Sequence, residues 1–321
     1  MFLIPANQTN MHRKLLLFII ASVIFISTSG QNASALFSAV EKNDIESVRK
    51  LLEDGANPNA TDEFGDAILM QAALYSTADC MKLLLDKGAD VNFKNKQGHS
   101  ALLFCAHEPE KIKLLVARGA DVNISGKSGN TALLVAAVGT NNYEAVKLLI
   151  DNGANPLAKN RIKESALVRA TTLAGNDVID LLLLKGNEID SVTENFTPLT
   201  AAIAFSNRNA VLHLLEKGAN PNIRDFYGLP VGLAVVFPDT LVSNLLIQKT
   251  TNINDLDVDN LTTIAWALYN EHDQPEIIQA LIDKGANVNI IFKNGTTPIS
   301  WGLQKGNTKS VEILKKAGAK K

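Results

Sequence analysis

Cysteine is nearly missing from this chain: Cys80 and Cys105 are the only two in 321 residues. No cysteine follows the apolar segment near the start until Cys80, which excludes a lipoprotein anchor there. Histidine is sparse too. No two of His12, His99, His107, His213 and His272 are three or four residues apart, so no H-x-x-H or H-x-x-E-H pair arises and no metal site is expected. Charge of one sign is also lacking, with 31 basic against 33 acidic residues, and this argues against a nucleic-acid binder, which needs a basic face. There is no G-x-S-x-G, no phosphate-binding loop and no paired-carboxylate constellation, so neither catalysis nor a cofactor is expected. Aromatic residues make up 6% of the chain against a hydrophobic share of 46%, a balance that suits helices packed through small side chains.

What the chain does have is a recurring stretch. Residues 83–92 read Leu-Leu-Leu-Asp-Lys-Gly-Ala-Asp-Val-Asn, and copies stand at 51–59, 114–123, 148–156, 214–222 and 281–289. Weaker copies occupy 182–190 and 246–254, and a shortened one 313–319. The marker glycines are Gly55, Gly88, Gly119, Gly153, Gly186, Gly218, Gly285 and Gly318, with Thr250 in the place of the missing one. Spacings of 31 to 35 residues indicate a solenoid. The leucines close an apolar face on a helix. The glycine ends that helix in the left-handed conformation, which it enters without a Cβ clash. The Asp or Asn two residues later suits the turn that follows.

A second helix precedes each copy. It opens most clearly at Thr197-Pro198-Leu199 and Thr297-Pro298-Ile299, where Thr caps and Pro takes the first helical position. Paired small residues, Ala72-Ala73, Ala136-Ala137 and Ala201-Ala202, let neighbouring helices approach. These motifs resemble the ankyrin repeat family over residues 35–321. The resemblance implies an all-α solenoid of about nine helix-turn-helix units with β-turn fingers. Full repeats are expected at about 62–94, 95–125, 126–159, 160–192, 193–224, 225–256 and 257–291, with polar caps at 35–61 and 292–321. Three departures stand out. The second full repeat is short around Glu108-Pro109, and the seventh carries an extra loop at Asp273-Gln274-Pro275. The sixth loses its glycine and holds Pro230 and Pro238, so it is expected to be the least regular. The histidine usual after the family's T-P-L is absent; Met70, Leu103, Leu134, Val168, Thr200, Gly232, Ala265 and Ser300 fill its place. That puts the hydrogen bonds it normally makes in doubt.

Residues 1–30 stand apart from the repeats. His12-Arg13-Lys14 precede an apolar run of 12 residues, 15–26, and Ser27-Thr28-Ser29-Gly30 follow. This order describes a secretory signal peptide with cleavage after Gly30 or Ala35, and Met11 is an alternative start. The run is short of the ~20 residues a spanning helix needs. An uncleaved membrane anchor is the competing reading. Cys80 and Cys105 read as small buried hydrophobes or, in an oxidising compartment, as a disulfide between neighbouring repeats. Asn-x-Ser/Thr triplets at Asn7, Asn32, Asn59, Asn123, Asn195, Asn260 and Asn294 read as turn composition.

The remaining signal is surface. In ankyrin arrays the turn tips and the concave ends of the inner helices usually bind, and the resemblance implies the same here. The candidate contacts are Tyr75, Leu173, Phe205, Phe237 and Tyr269 at inner-helix ends, with Phe64, Phe226 and Tyr227 at the tips. A contiguous apolar strip marks a partner site, unless these side chains fold inward. The expected protein is an exported, monomeric, non-catalytic module of a bacterial periplasm or medium. It would bind a protein partner, with no nucleic acid and no membrane contact after cleavage. The alternatives are an enzyme or toxin-type effector with an unrecognised groove site, for which His107-Glu108 is the one pair in view, and a structural envelope spacer. Sequencing the N-terminus of protein from its native host should read a start between Gln31 and Leu36. An intact Met1 or Met11 end in a cytoplasmic fraction would overturn the export reading.

Overall fold

The computed structural model describes residues 32–237, 239–270, 272–292 and 295–320. The expected signal segment, Pro238 and Asn294 lie outside the described residues. The chain divides into two compact units, Met1–Lys127 and Ser128–Lys321. Among the described residues there is no strand, only isolated bridges at the finger bases, such as Thr61 with Ala67 and Lys159 with Ser165. No described helix is long and apolar enough to cross a membrane.

In the first unit, α1 (32–41) and α2 (Ile45–Glu53) form the terminal pair. They are followed by α3 (Ile68–Tyr75) with α4 (Ala78–Asp86) and α5 (Ala101–Phe104) with α6 (Pro109–Ala117). The second unit repeats the pattern with α7 (Ala132–Ala136) and α8 (Tyr143–Asp151), α9 (Ala166–Leu173) and α10 (Asn176–Leu184), and α11 (Pro198–Ala204) and α12 (Arg208–Glu216). It continues with α13 (Pro230–Ala234) and α14 (Thr240–Lys249), α15 (Thr263–Tyr269) and α16 (Pro275–Asp283), and α17 (Pro298–Lys305) and α18 (Thr308–Lys316). In this unit each odd helix packs on the next odd helix and each even helix on the next even one, giving two rows. Ala201, Ala202, Ala166 and Ala170 are fully buried in the first row, where only a methyl group fits between the backbones.

The caps follow the sequence logic. Thr197 Oγ1 accepts from Thr200 N–H and Thr297 Oγ1 from Ser300 N–H, and both helices begin at proline. Two of the residues replacing the family histidine return the bond: Thr200 and Ser300 hydroxyls accept from the N–H groups of Thr197 and Thr297 at 2.8 and 2.7 Å. The missing ring is thus replaced by a hydroxyl in those two repeats. Met70, Leu103, Leu134 and Val168 are apolar and buried instead.

Between repeats the decisive contact is one the sequence pattern credits only to a turn. The asparagine closing the repeated stretch reaches forward into the next repeat. Asn92 Nδ2 donates to the carbonyl of Gly119 at 2.9 Å, and Asn92 Oδ1 accepts from Asp121 N–H at 2.8 Å. Asn59 makes the same pair with Gly88 and Asp90, Asn254 with Gly285 and Asn287, and Asn289 with Gly318 and Lys320. Asp190, a carboxylate, makes only the accepting half, from Asn220 N–H. The glycine is needed at these joints because its φ is positive, +84° at Gly119 and +93° at Gly285.

The sixth repeat solves the joint differently. Thr250 is extended, at φ −69° and ψ 140°, and α14 runs to 10 residues. Asn222 Oδ1 then gathers Thr251 N–H at 2.8 Å and the hydroxyls of Thr250 and Thr251 at 3.2 and 3.1 Å. The irregularity expected there is real but is closed by hydroxyls; α13 is correspondingly short, at 5 residues. The extra loop of the seventh repeat also clasps its neighbours. Asp273 accepts from Lys309 N–H at 2.8 Å and Ser310 N–H at 3.2 Å, capping α18, while Gln274 Nε2 donates back to Val235 O at 3.2 Å.

Replacing Asn92 by alanine removes two inter-repeat bonds. At about 0.5–1.5 kcal/mol net per bond, Asn92→Ala should destabilise the chain by about 1–3 kcal/mol. Denaturant melts would read this directly; an unchanged midpoint would show that water replaces the amide without loss.

Candidate partner-binding surface

The inner-helix ends and fingertips carry the candidate residues, and each unit presents its own set. In the first unit Phe64 at a fingertip and Leu74 and Tyr75 at the end of α3 are exposed. In the second unit Leu173, Phe205 and Tyr269 are exposed at the ends of α9, α11 and α15, with Phe226 and Tyr227 at a tip. Phe237 does not join them. It is half-buried and turns into the seam against α11 and α12, where it lines a cavity of about 170 Å³ with Ala202, Ile203, Val211, Ala234 and Val242. The ion pair of Arg208 with Asp239, 2.6 Å, borders that seam. The expectation that Phe237 belongs to the exposed strip is therefore corrected. Phe205 is the residue that caps the end of α11, whereas α13 ends at Ala234 and Phe237 lies two residues past its cap, Val235.

Phe205 has a different neighbour. Phe196, just before the Thr197 cap, lies 6.3 Å from Phe205 edge-on and stacks on Tyr227 at 5.1 Å and 21°. Phe226 meets Tyr227 edge-on at 5.2 Å. Phe196 and Phe205 line a hollow of about 250 Å³ with Val138, Val168, Thr172, Leu173 and Ala201. Arg169 and Glu164 close one side, paired at 3.3 Å. Arg169 Nη1 also donates to Asn130 Oδ1 at 3.2 Å, while its Nε is buried without a partner among the described residues. The hollow is thus apolar on most sides, with one restrained cation at its wall.

The same unit holds a second aromatic group. Trp266 and Trp301 each lie 5.8 Å from Tyr269 at steep angles, and buried Phe292 backs Trp301 at 5.1 Å. The candidate set had omitted Phe196, Arg169, Trp266 and Trp301. A register was available in the sequence: Arg169, Ala201, Trp266 and Trp301 all stand four residues past the helix cap.

The polar groups perform structural work. Asp225 takes N–H groups from Thr197 and Tyr227 and the hydroxyl of Thr200. Burial nevertheless raises its carboxyl above the ordinary carboxylate value. The folded chain then holds this proton more tightly than the unfolded one. Asp225 therefore lowers stability as pH climbs from the ordinary carboxylate range through the folded value. The neighbours His107 and Glu108 sit in different surroundings. Burial lowers the His107 pKa, and Glu108 is engaged by Lys111 at 2.8 Å. Lys111 is itself buried and also donates to the carbonyl of Ala73 at 2.9 Å, holding α6 to the end of α3. Cys80 and Cys105 are both free and buried, and desolvation raises both thiols, Cys105 to about 12. The disulfide alternative is not formed: Cys105 Sγ points to the carbonyl of Ala101 in its own helix at 3.4 Å. Among the described residues no group of three or more His, Cys, Asp or Glu is placed to hold a metal.

A family model described as ankyrin repeats matches residues 36–126, 69–160, 134–225 and 232–321. Ankyrin repeat protein 14 of vaccinia virus (strain Western Reserve) is 22% identical over 192 residues, covering 59% of this chain and 78% of that protein. The human transient receptor potential cation channel subfamily A member 1 is 27% identical over 194 residues, 57% of this chain but 14% of the channel. Bovine mitochondrial disaggregase is 33% identical over 152 residues, 44% of this chain and 21% of that protein. The match thus spans a small part of the channel and of the disaggregase.

The two phenylalanines should now separate in experiment. Phe237→Ala enlarges an existing cavity and should cost about 2 kcal/mol of folding stability, given about 3–5 kcal/mol for a fully buried ring. Phe205→Ala should cost within about 0.5 kcal/mol, as for an exposed side chain. Equal losses in paired denaturant melts would return Phe205 to the core.

Proposed function

The chain belongs to the ankyrin repeat family, and from that premise we propose that it is an exported, monomeric, non-catalytic module that grips a protein partner at the Leu173–Phe205 hollow. Repeats of this family mediate protein–protein interaction. The observation that carries the reading is the hollow itself: an apolar depression of about 250 Å³ rimmed by two exposed side chains and flanked by stacked rings. Exposed rings around an apolar hollow are what binding hot spots are made of, since an anchor entering there displaces water from apolar walls. Arg169, held by Glu164 and Asn130, supplies a fixed donor group at the wall without being free to collapse into the hollow. Export rests on the basic, apolar and small-residue order of residues 1–30. A spacer would have no use for an exposed hollow of this composition.

The experiment is affinity capture from an envelope extract of the native host, run with the wild-type chain and with Leu173→Ala/Phe205→Ala. Losing two anchors worth together ~2 kcal/mol should weaken binding of the captured protein about thirtyfold, since ~1.4 kcal/mol is tenfold. The melting temperature should stay where it is. A double variant that retains the same partner at the same affinity removes the hollow from the interface. Recovery of the partner only from a cytoplasmic extract would remove the export half of the reading.

A further inference from the structure

We propose that Trp266, Tyr269 and Trp301 form a second subsite on the same unit, one that takes an organic cation, and that Lys305 holds the place of that cation in the free protein. The rings come from consecutive repeats. Trp266 and Trp301 occupy the same register on α15 and α17, and Tyr269 stands between them, 5.8 Å from each at 76° and 71°. Rings set at such angles meet edge to face and not face to face, so each contact uses at most one face of a ring, and a face of Tyr269 is open enough for Lys305 to lie over it. Their positions are fixed from behind. Trp266 Nε1 donates to Asp257 Oδ2, while Asp257 Oδ1 is tied down by the N–H groups of Asp259 and Leu261 at 2.8 Å. Phe292, buried, supports Trp301. The subsite therefore combines polarisable ring faces with a carboxylate anchored beside Trp266, both of which favour positive charge.

One cation is already there. The ammonium of Lys305 lies 4.0 Å from the centroid of Tyr269, well inside the ~6 Å reach of a cation–π contact. Among the described residues Lys305 forms no ion pair. The negative end of α17 accounts for a lysine in the last helical turn. It does not account for an ammonium folded back over a ring on the neighbouring helix, at the cost of ordering a long side chain. The ring face is what draws it. A lysine or arginine side chain, or an alkylated ammonium, arriving on a partner would compete for that face. The carrier of the cation rests on the partner reading above; the affinity of the rings for a cation does not, and is open to test without any partner.

The chain has only two tryptophans, and both are in this subsite, so fluorescence excited selectively at tryptophan reports it alone. The full chain would be titrated with tetramethylammonium chloride against sodium chloride at equal ionic strength, and separately with tert-butanol, a neutral molecule of similar shape. A saturable fluorescence change is expected with tetramethylammonium and not with the other two. Lys305→Met keeps the apolar stem and removes the competitor, and should tighten the response about threefold, the size of one exposed cation–π contact. Tyr269→Leu should abolish it. Equal saturation by tert-butanol, a flat titration in both wild type and Lys305→Met, or an undiminished response in Tyr269→Leu would each overturn the proposal. If the titration fails while capture through Leu173 and Phe205 holds, the cation subsite falls and the partner reading stands. If capture fails and the titration saturates, the converse follows.

Discussion

A carboxamide carries a donor and an acceptor on one carbon, and in this chain that small fact joins one repeat to the next. The turn that follows a second-row helix carries backbone groups that need partners. Asn92 meets two of them at once, a glycine carbonyl and an N–H two residues beyond it. In a solenoid, stability is a sum of repeat terms and nearest-neighbour terms, so a contact that recurs at successive joints weighs more than its single-bond energy suggests. It also sets register, because the donor and acceptor are satisfied together in one alignment. Where the residue is a carboxylate, as at Asp190, the donating half is lost. Where the glycine is lost, as at Thr250, the same amide oxygen collects hydroxyls instead.

The inner-helix ends show the same problem met by a different residue. Asn207 Nδ2 donates to Thr171 O, Asn270 to Val236 O and Asn307 to Leu268 O, each reaching back to a carbonyl of the preceding repeat. Lys111 does this job in the first unit with an ammonium, and Glu108 supplies the countercharge that lets it stay buried. Both rows are thus held by side chains that end free helix termini. Among the exposed apolar residues, Leu173, Phe205 and Tyr269 stand at the ends of first-row helices and Phe64, Phe226 and Tyr227 at the fingertips.

Much of this was legible before any coordinates. The spacing of the glycines, the Thr-Pro starts and the paired alanines set the helix pairs and their order, because each depends on residues near in sequence. The asparagine joints were not, since an asparagine after glycine is equally well explained by its own turn; its partners lie about 30 positions away. The exposed residues were mostly read correctly, but Phe237 was placed by analogy with Phe205. The analogy failed because Phe205 caps α11 while Phe237 lies two residues past the cap of α13 and lines the seam. Phe196 and Arg169 went unseen because one stands at a finger and the other on a helix, and only folding makes them walls of a single hollow. Cys80 and Cys105 could be read either way until their burial and Cys105's bond to its own helix were known.

The forward reach of the asparagine gives the array a grammar of length. A copy such as 83–92 ends with the residue that greets its successor and contains the glycine that receives its predecessor. Between copies of this kind, an insertion or deletion of one whole period rejoins a matching pair, wherever in the repeat the cut falls. A change of any other length sets an amide against backbone groups that are not there. Growth and shrinkage by recombination are thereby confined to whole repeats, so the extent of the surface can be revised in evolution without redesigning the joints that support it.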